Sequence, residues 1–282
     1  MSILVKDCLK RVKNTRKKVF YIIVGNKIAQ KYIAKRIRKS QILAGIGSGG
    51  NVENSGEKSI FKKLKSLKQD GYCLFDVGAN KGDFTKLILD FFNNDHIEVH
   101  CFEPSKATFE LLSNNIKSDK VILNNKGLGK EAGIFPFYTD FPGSGTASLT
   151  KRKMDCYGVD FNYSEDVLID TLDDYCLSNN INDIDLLKLD VEGHELDVLE
   201  GSKEMLKRKK IKIISFEFGG CNIDTRTFLR DFYYLFNEFG FLLYRITPSG
   251  YFYPLDNYSE KLEMFRTTNY IGIRKNMARE LL

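Results

Sequence analysis

The sequence predicts an α/β fold in which a mostly parallel sheet carries helices on both faces. Three observations lead there. From residue 72 to residue 239, short apolar runs of strand length alternate with amphipathic stretches of helical period. The first strand ends in an acid and turns through glycines into a helix, Phe75-Asp76-Val77-Gly78-Ala79-Asn80-Lys81-Gly82-Asp83-Phe84-Thr85. The next strand ends in a second acid, Cys101-Phe102-Glu103-Pro104. Right-handed β-α-β crossovers gather the strand C-termini along one edge, where ligands bind.

Taken in order, residues 1–44 form a basic helical arm. Residues 1–40 hold 13 Lys and Arg against one acid, Asp7, while the remainder holds 30 Lys and Arg against 36 Asp and Glu. A basic arm is thus attached to a mildly acidic body. Val19, Ile22, Ile23, Ile28, Tyr32, Ile33 and Ile37 recur at roughly helical spacing, interrupted at Gly25 and Asn26. This arm is suited to peripheral contact with anionic lipid or an acidic partner, although a solvated basic helix fits the same pattern. Residues 45–69 are expected to be a glycine-rich linker followed by a helix with Ile60, Phe61, Leu64 and Leu67 on one face. Gly45, Gly47 and Gly50 match GxGxxG in form only, because no strand precedes them.

The catalytic body is expected over 70–282. Its strands read at 72–77, 97–102, 121–123, 134–138, 167–169, 184–189, 211–218, 241–246 and 270–274, and its helices at 84–92, 107–116, 172–177, 195–206 and 228–239. The loop Phe141-Pro142-Gly143-Ser144-Gly145-Thr146-Ala147-Ser148-Leu149 is a connection rich in small residues. The aromatic stretch Tyr251-Phe252-Tyr253-Pro254 is expected to cover the sheet edge or stack on a sugar.

Composition excludes several classes. With 282 residues, 43% hydrophobic and 28% charged, the chain is neither fibrous nor disordered. The apolar run 19–24 is six residues, far below the roughly 20 of a membrane span, and too short for a secretory core. Six cysteines lack CxxC spacing and three histidines lack zinc-ligand partners, which points to free thiols in a reducing, cytoplasmic setting.

The two strand ends carry the first chemistry. Glycine lets a ligand approach the backbone, and free amides at a helix start can meet a carboxylate. Asp76 precedes the glycines and can accept from an ammonium, so the turn suits the amino-acid end of S-adenosylmethionine better than a pyrophosphate. Glu103 can accept from both ribose hydroxyls, and Pro104 ends the strand. Each element alone also fits an ordinary turn or helix cap. A nicotinamide-dependent oxidoreductase would need GxGxxG here, and Gly78-Ala79-Asn80-Lys81-Gly82 does not supply it.

The ordered set DVGANKGDFT, CFEPSKATFELLSNN, DTLDDYC, DLLKLDVEGHELDVLEGS and IISFEFG resembles the FkbM family of S-adenosylmethionine-dependent methyltransferases, over about residues 70–275. The resemblance implies a Rossmann-like class I methyltransferase fold with seven strands, the last antiparallel. It also implies O-methylation of a sugar, glycan or secondary-metabolite hydroxyl. The expected cofactor-binding residues are Asp76, Gly78, Ala79, Asn80, Gly82, Thr85, Glu103, Pro104, Ser148 and Asp190, with Ser148 matching the family's serine before a leucine.

In that fold the motif Asp190-Val191-Glu192-Gly193-His194-Glu195 faces the transferring methyl. A hydroxyl nucleophile gains from a base that takes its proton, and Asp190, Glu192, His194 and Glu217 are the candidates. A divalent metal held by Asp190 and Glu217 is weighed but not assigned; the two acids would serve equally as turn caps or partners for Lys188. The expected partner is a small-molecule or glycan acceptor, with self-association left open. Nucleic acid is disfavoured, because the Asn/Asp-Pro-Pro-aromatic run of amino-methylating enzymes is replaced by Asp190-Val191-Glu192-Gly193 and the body is acidic. A catalytically silent cofactor-binding module is the remaining alternative.

Overall fold

A computed structural model of the chain describes residues 13–14, 17–18, 20–21, 23–50, 53–67 and 70–278. It divides into two units, Met1–Ala44 and Gly45–Leu282. In the first, helix α1 (Lys27–Leu43) begins where Asn26 leaves helical geometry, and the Asn26 side chain accepts from the backbone N–H groups of Ile28 and Ala29 at 3.1 and 3.0 Å. This N-cap explains why the pattern restarts after Gly25. Ile28, Tyr32 and Ile37 are exposed on it. Val19, Ile22 and residues 1–12 of the arm lie outside the described residues. Among the described residues no helix is long and apolar enough to cross a membrane.

The second unit is built on a sheet of eight strands in the order β10-β9-β11-β8-β7-β1-β2-β3. These are β1 (Tyr72–Val77), β2 (Ile97–Phe102), β3 (Val121–Asn124), β7 (Ile184–Leu189), β8 (Ile211–Phe218), β9 (Phe241–Ile246), β10 (Phe252–Pro254) and β11 (Thr268–Arg274). β1 pairs in parallel with β2 and with β7, β2 with β3, and β7 with β8. β11 runs antiparallel between β8 and β9. The Rossmann-like class I architecture is therefore present, with one strand beyond the expected seven. The addition is β10, which pairs antiparallel with β9. Its aromatic stretch alternates, Phe252 buried and Tyr251 and Tyr253 exposed, as an edge strand with one packed face requires.

All six residues of β7 are buried, because a central parallel strand is covered on both faces. On one face Phe75, Val77, Leu187, Leu189, Ile214 and Phe216 pack with helices α5 (Leu172–Ser178), α6 (Glu195–Glu200), α7 (Lys203–Lys207) and α9 (Leu229–Glu238). On the other, Leu74, Val99, Leu186, Ile213 and Ile271 pack with α2 (Lys58–Ser66), α3 (Asp83–Phe91) and α4 (Lys106–Asn115). The expected helix 195–206 is broken in two at Gly201, where a Cβ would stand 2.0 Å from the Gly129 carbonyl oxygen. A loop crosses too closely there for a continuous helix.

A second sheet, in the order β4-β6-β5, is formed by β4 (Gly127–Leu128), β5 (Gly133–Thr139) and β6 (Tyr163–Asp170). The sequence shows only 167–169 of β6, since most of the rest of the strand is exposed and polar and carries no apolar signal.

Residues 45–69, expected as a linker and a helix, lie within the second unit. Gly45 and Gly56 adopt left-handed φ values of 89° and 86°, and a Cβ would stand 2.3 Å from Ile246 O and 2.1 Å from Thr247 O. The glycines thus allow this segment to lie against the end of β9. α2 then buries Ile60, Phe61 and Leu64 completely. Cys73, Cys101, Cys156, Cys176 and Cys221 are free thiols; Cys8 lies outside the described residues.

Candidate active site

Strand order reverses between β1 and β7, and a cleft of about 540 Å³ opens beyond their C-terminal ends. Gly78 makes this junction possible. Its φ is 83°, and a Cβ would stand 1.9 Å from the Asp190 carbonyl oxygen. Gly78 and Ala79 N–H both donate to Phe102 O at 2.9 Å, and Asp190 N–H donates to Val77 O at 2.9 Å. The ends of β1, β2 and β7 are therefore tied together at the mouth of the cleft.

Asp76, Gly78, Ala79, Asn80, Glu103 and Pro104 all line this cleft. Glu103 is buried, and its two oxygens accept from the backbone N–H groups of Asn80 at 3.1 Å and Ser105 at 3.0 Å. Burial outweighs those two bonds and pushes its carboxyl up to about 7. Asp76 is likewise raised by burial, against the pull of Lys188 and the Thr85 hydrogen bond.

Three expected cofactor contacts sit behind the cleft wall. Thr85 is fully buried, and its hydroxyl donates to Asp76 Oδ2 at 2.6 Å. Gly82 caps α3 at φ 90°, where a Cβ would press on Ile116 and Leu112, so its role is to seat α3 against α4. Ser148 is buried and donates to the Glu192 carbonyl oxygen at 2.9 Å. All three shape the site without lining it.

At the other end, Asp190, Glu192, His194 and Glu217 line the same cleft. Glu192 takes a left-handed φ of 51°, followed by Gly193 at 103°. A non-glycine residue in that region is strained, a feature that concentrates at functional sites. The Arg152 guanidinium pairs with the Glu192 carboxylate and stands 3.6 Å from Asp224. Burial first, then the neighbouring Asp190 charge, push the Glu192 carboxyl up to about 8 against Arg152. Glu217 is raised well above the ordinary range by burial and by Asp190 and Glu192. Both ring nitrogens of His194 are engaged, Nε2 with Thr150 Oγ1 at 3.0 Å and Nδ1 with Asp197 Oδ2 at 2.7 Å. It orients the loop rather than facing the cleft with a free nitrogen.

Sequence reading missed Glu57, Arg152 and Asn269, which also line the cleft. Glu57 and Arg152 lie in polar runs where nothing marks one charge over another. Lys188 did leave a signal, a lysine inside the apolar strand Leu186-Leu187-Lys188-Leu189. It is buried and bonds Asp190 Oδ2 at 3.0 Å. Burial alone would lower it, but Asp190, Glu57 and Asp76 more than reverse this and hold it charged.

The residues fit S-adenosylmethionine on the structure's own terms. A desolvated carboxylate stands at the β2 tip, and Asn80 Oδ1, Asn269 Nδ2 and Glu57 Oε1 are buried around the cleft without hydrogen-bond partners. Such groups call for a ligand or water. For a metal the fit is poorer. Among the described residues, the one group of three with ligand atoms mutually within 4.8 Å is Cys73, Glu98 and His100, and none of these lines the cleft.

A model of the methyltransferase FkbM domain matches residues 76–245. "Methyltransferase 1" of Beauveria bassiana is 30% identical over 148 residues, 47% of this chain and 59% of that protein. Hexuronic acid methyltransferase AglP of Haloferax volcanii is 28% identical over 170 residues, 58% of this chain and 64% of that protein. The 2-O-methyltransferase NoeI of Sinorhizobium fredii is 26% identical over 154 residues, 51% of this chain and 63% of that protein. The chain thus covers less than two thirds of the length of these relatives. Among solved structures, an FkbM methyltransferase from Methylobacillus flagellatus KT superposes with a TM-score of 0.44 at 16% identity, over 72% of this chain and 44% of that one.

Proposed function

The chain belongs to the FkbM methyltransferase family, and from that premise we propose that it methylates a hydroxyl oxygen of a sugar or glycan. One observation carries this reading. Three carboxylates from the ends of β7 and β8, Asp190, Glu192 and Glu217, share a cleft with the Gly78 turn and Glu103. Two of them, Glu192 and Glu217, are made weaker acids than usual by burial and by the charge of Asp190. A weaker acid is a stronger base, which a hydroxyl of high pKa needs as it attacks.

S-adenosylmethionine, when bound, supplies an electrophilic methyl on a sulfonium. Asp76 and the turn from Gly78 to Asn80 hold its amino-acid end, and Glu103 accepts from the ribose hydroxyls beside Pro104. Thr85 and Gly82 keep the turn in place from behind. Asp190, fixed by Lys188, orients the acceptor, and Glu192 or Glu217 takes its proton. Ser148 and His194 steady the strained Glu192 turn. Of two relatives, one is named for a hexuronic acid, which supports a sugar acceptor, and the other for 2-O-methylation, which supports an oxygen target.

The test is transfer of labelled methyl from S-adenosylmethionine to a panel of neutral sugars, uronic acids and nucleotide-linked sugars, followed by mass analysis. Label in an O-methyl group of a sugar supports the reading. Label confined to an amine, a nucleic acid or a protein contradicts it.

A further inference from the structure

The segment preceding the family-matched region places one acid in the cleft. Glu57 is 2% exposed and lines the cleft together with Gly49, Gly50, Asp76, Lys188 and Asn269. Its position is closely determined. Gly56 holds a left-handed turn against Thr247, Ser59 N–H and Ile60 N–H donate to Gly56 O and Glu57 O, and α2 is pinned by its buried apolar face. Ser55 Oγ donates to Glu57 Oε2 at 2.7 Å, while Oε1 is buried and has no hydrogen-bond partner.

A buried carboxylate oxygen without a partner is costly. Burial raises the Glu57 carboxyl above its ordinary range; Lys188 and the Ser55 hydrogen bond pull it back, but the hydrogen bond of Lys188 itself goes to Asp190. Asp76 and Asp190 add negative charge around the same point. The neighbourhood therefore carries more carboxylates than buried cations. What it lacks is a second compact cation with donors to spare, and the α-ammonium of an amino acid has that chemistry.

We propose that Glu57 recognises the α-ammonium group of S-adenosylmethionine, its Oε1 accepting a hydrogen bond from that nitrogen beside Asp76. This rests on the cofactor reading above and extends the cofactor site to a segment upstream of residues 76–245, which the family model matches. A purely structural Glu57, serving only as counter-charge to Lys188, would affect all ligands of the cleft alike.

The experiment compares S-adenosylhomocysteine with its analogue lacking only the α-amino group, by calorimetry on the full chain and on Glu57→Gln. The native chain is expected to favour the amino compound at least tenfold. Glu57→Gln is expected to lose most of that preference while binding the deaminated analogue as the native chain does, which also shows that the variant is folded. Equal weakening of both ligands, or an undiminished preference in Glu57→Gln, overturns the proposal. Absence of saturable S-adenosylhomocysteine binding to the native chain overturns the cofactor reading itself, a separate result.

Discussion

Asp76 and Lys188 are register partners on the neighbouring parallel strands β1 and β7, and both are buried. The row across the sheet at this level runs Cys101, Asp76, Lys188, Ser215. The Lys188 ammonium bonds Asp190 Oδ2 at 3.0 Å and feels the charges of Glu57 and Asp76 as well. Removing the buried cation leaves the carboxylates around it uncompensated, commonly at a cost of about 3–5 kcal/mol. Lys188→Met should therefore lower the thermal midpoint sharply, and Asp76→Asn in the same background should recover part of the loss. Scanning calorimetry of the two single variants and the double variant checks this; strict additivity would show that the pair is not coupled.

The carboxyl of Glu103 sits at about 7 because it is buried. Two ribose hydroxyls donate more strongly to its ionised form, which leaves both oxygens free to accept. Affinity for S-adenosylhomocysteine should therefore rise as pH rises from 6 to 8. Glu103→Gln should bind roughly 10- to 100-fold more weakly, in line with hydrogen bonds to a charged group, and its affinity should be flat over that range. Calorimetry at pH 6, 7 and 8 measures both effects.

The Glu192 carboxyl, pushed up to about 8, must be ionised to take a proton. If it is the base, methyl transfer should rise with pH through about 8. Glu192→Gln should remove that limb and reduce turnover by about 10²–10⁴-fold. Should Glu217→Gln do this instead, the base is Glu217. His194→Ala should lower turnover less than loss of the base and leave the pH limb in place, since both its nitrogens are engaged in holding the loop. Full activity in Asp190→Asn, Glu192→Gln and Glu217→Gln alike would remove proton abstraction by these acids from the account.

Glu195 is fully buried, accepts from Val191 and Gly193 N–H, and is raised to about 7 by burial. The folded chain thus holds this proton more tightly than the unfolded chain, whose glutamates titrate near 4.5. The contribution to stability is greatest below 4.5 and is lost as pH rises toward 7. Glu195→Gln, which keeps an accepting oxygen, should show a thermal midpoint that falls less than the native one between pH 5 and 7.5.

Much of this molecule was legible in its sequence because it rests on burial. Strands β1, β2, β7, β8 and β9 are short apolar runs, and the acids at the ends of the first four stand out against them. The exposed half of β6 and the short β4 carry no such contrast, and the break at Gly201 depends on a loop distant in sequence. The cleft wall showed the same division. Asp76, Glu103 and Asp190 could be found by their places after strands, whereas Glu57 and Arg152 reach the cleft through turns whose geometry only the folded chain defines. Thr85 and Ser148 were found by motif, and the structure sets both behind the cleft wall, a depth that sequence spacing does not show.

The basic arm and the second unit lend themselves to separation. The second unit carries the sheet, both of its apolar layers and, among the described residues, all of those lining the cleft. Deleting residues 1–44 should leave S-adenosylhomocysteine affinity within about twofold, and should weaken sedimentation with anionic vesicles if the exposed Ile28, Tyr32 and Ile37 and the lysines around them meet lipid. Unchanged vesicle binding would locate any lipid contact elsewhere.

The central claim is that the tips of β1 and β2 grip the adenosyl cofactor. A crystal structure of the chain with S-adenosylhomocysteine tests it most directly. The account predicts both ribose hydroxyls within hydrogen-bond distance of Glu103 and the amino-acid end against the Gly78 turn. A ligand bound elsewhere, or a cleft that stays closed by its own side chains at saturating ligand, would contradict it.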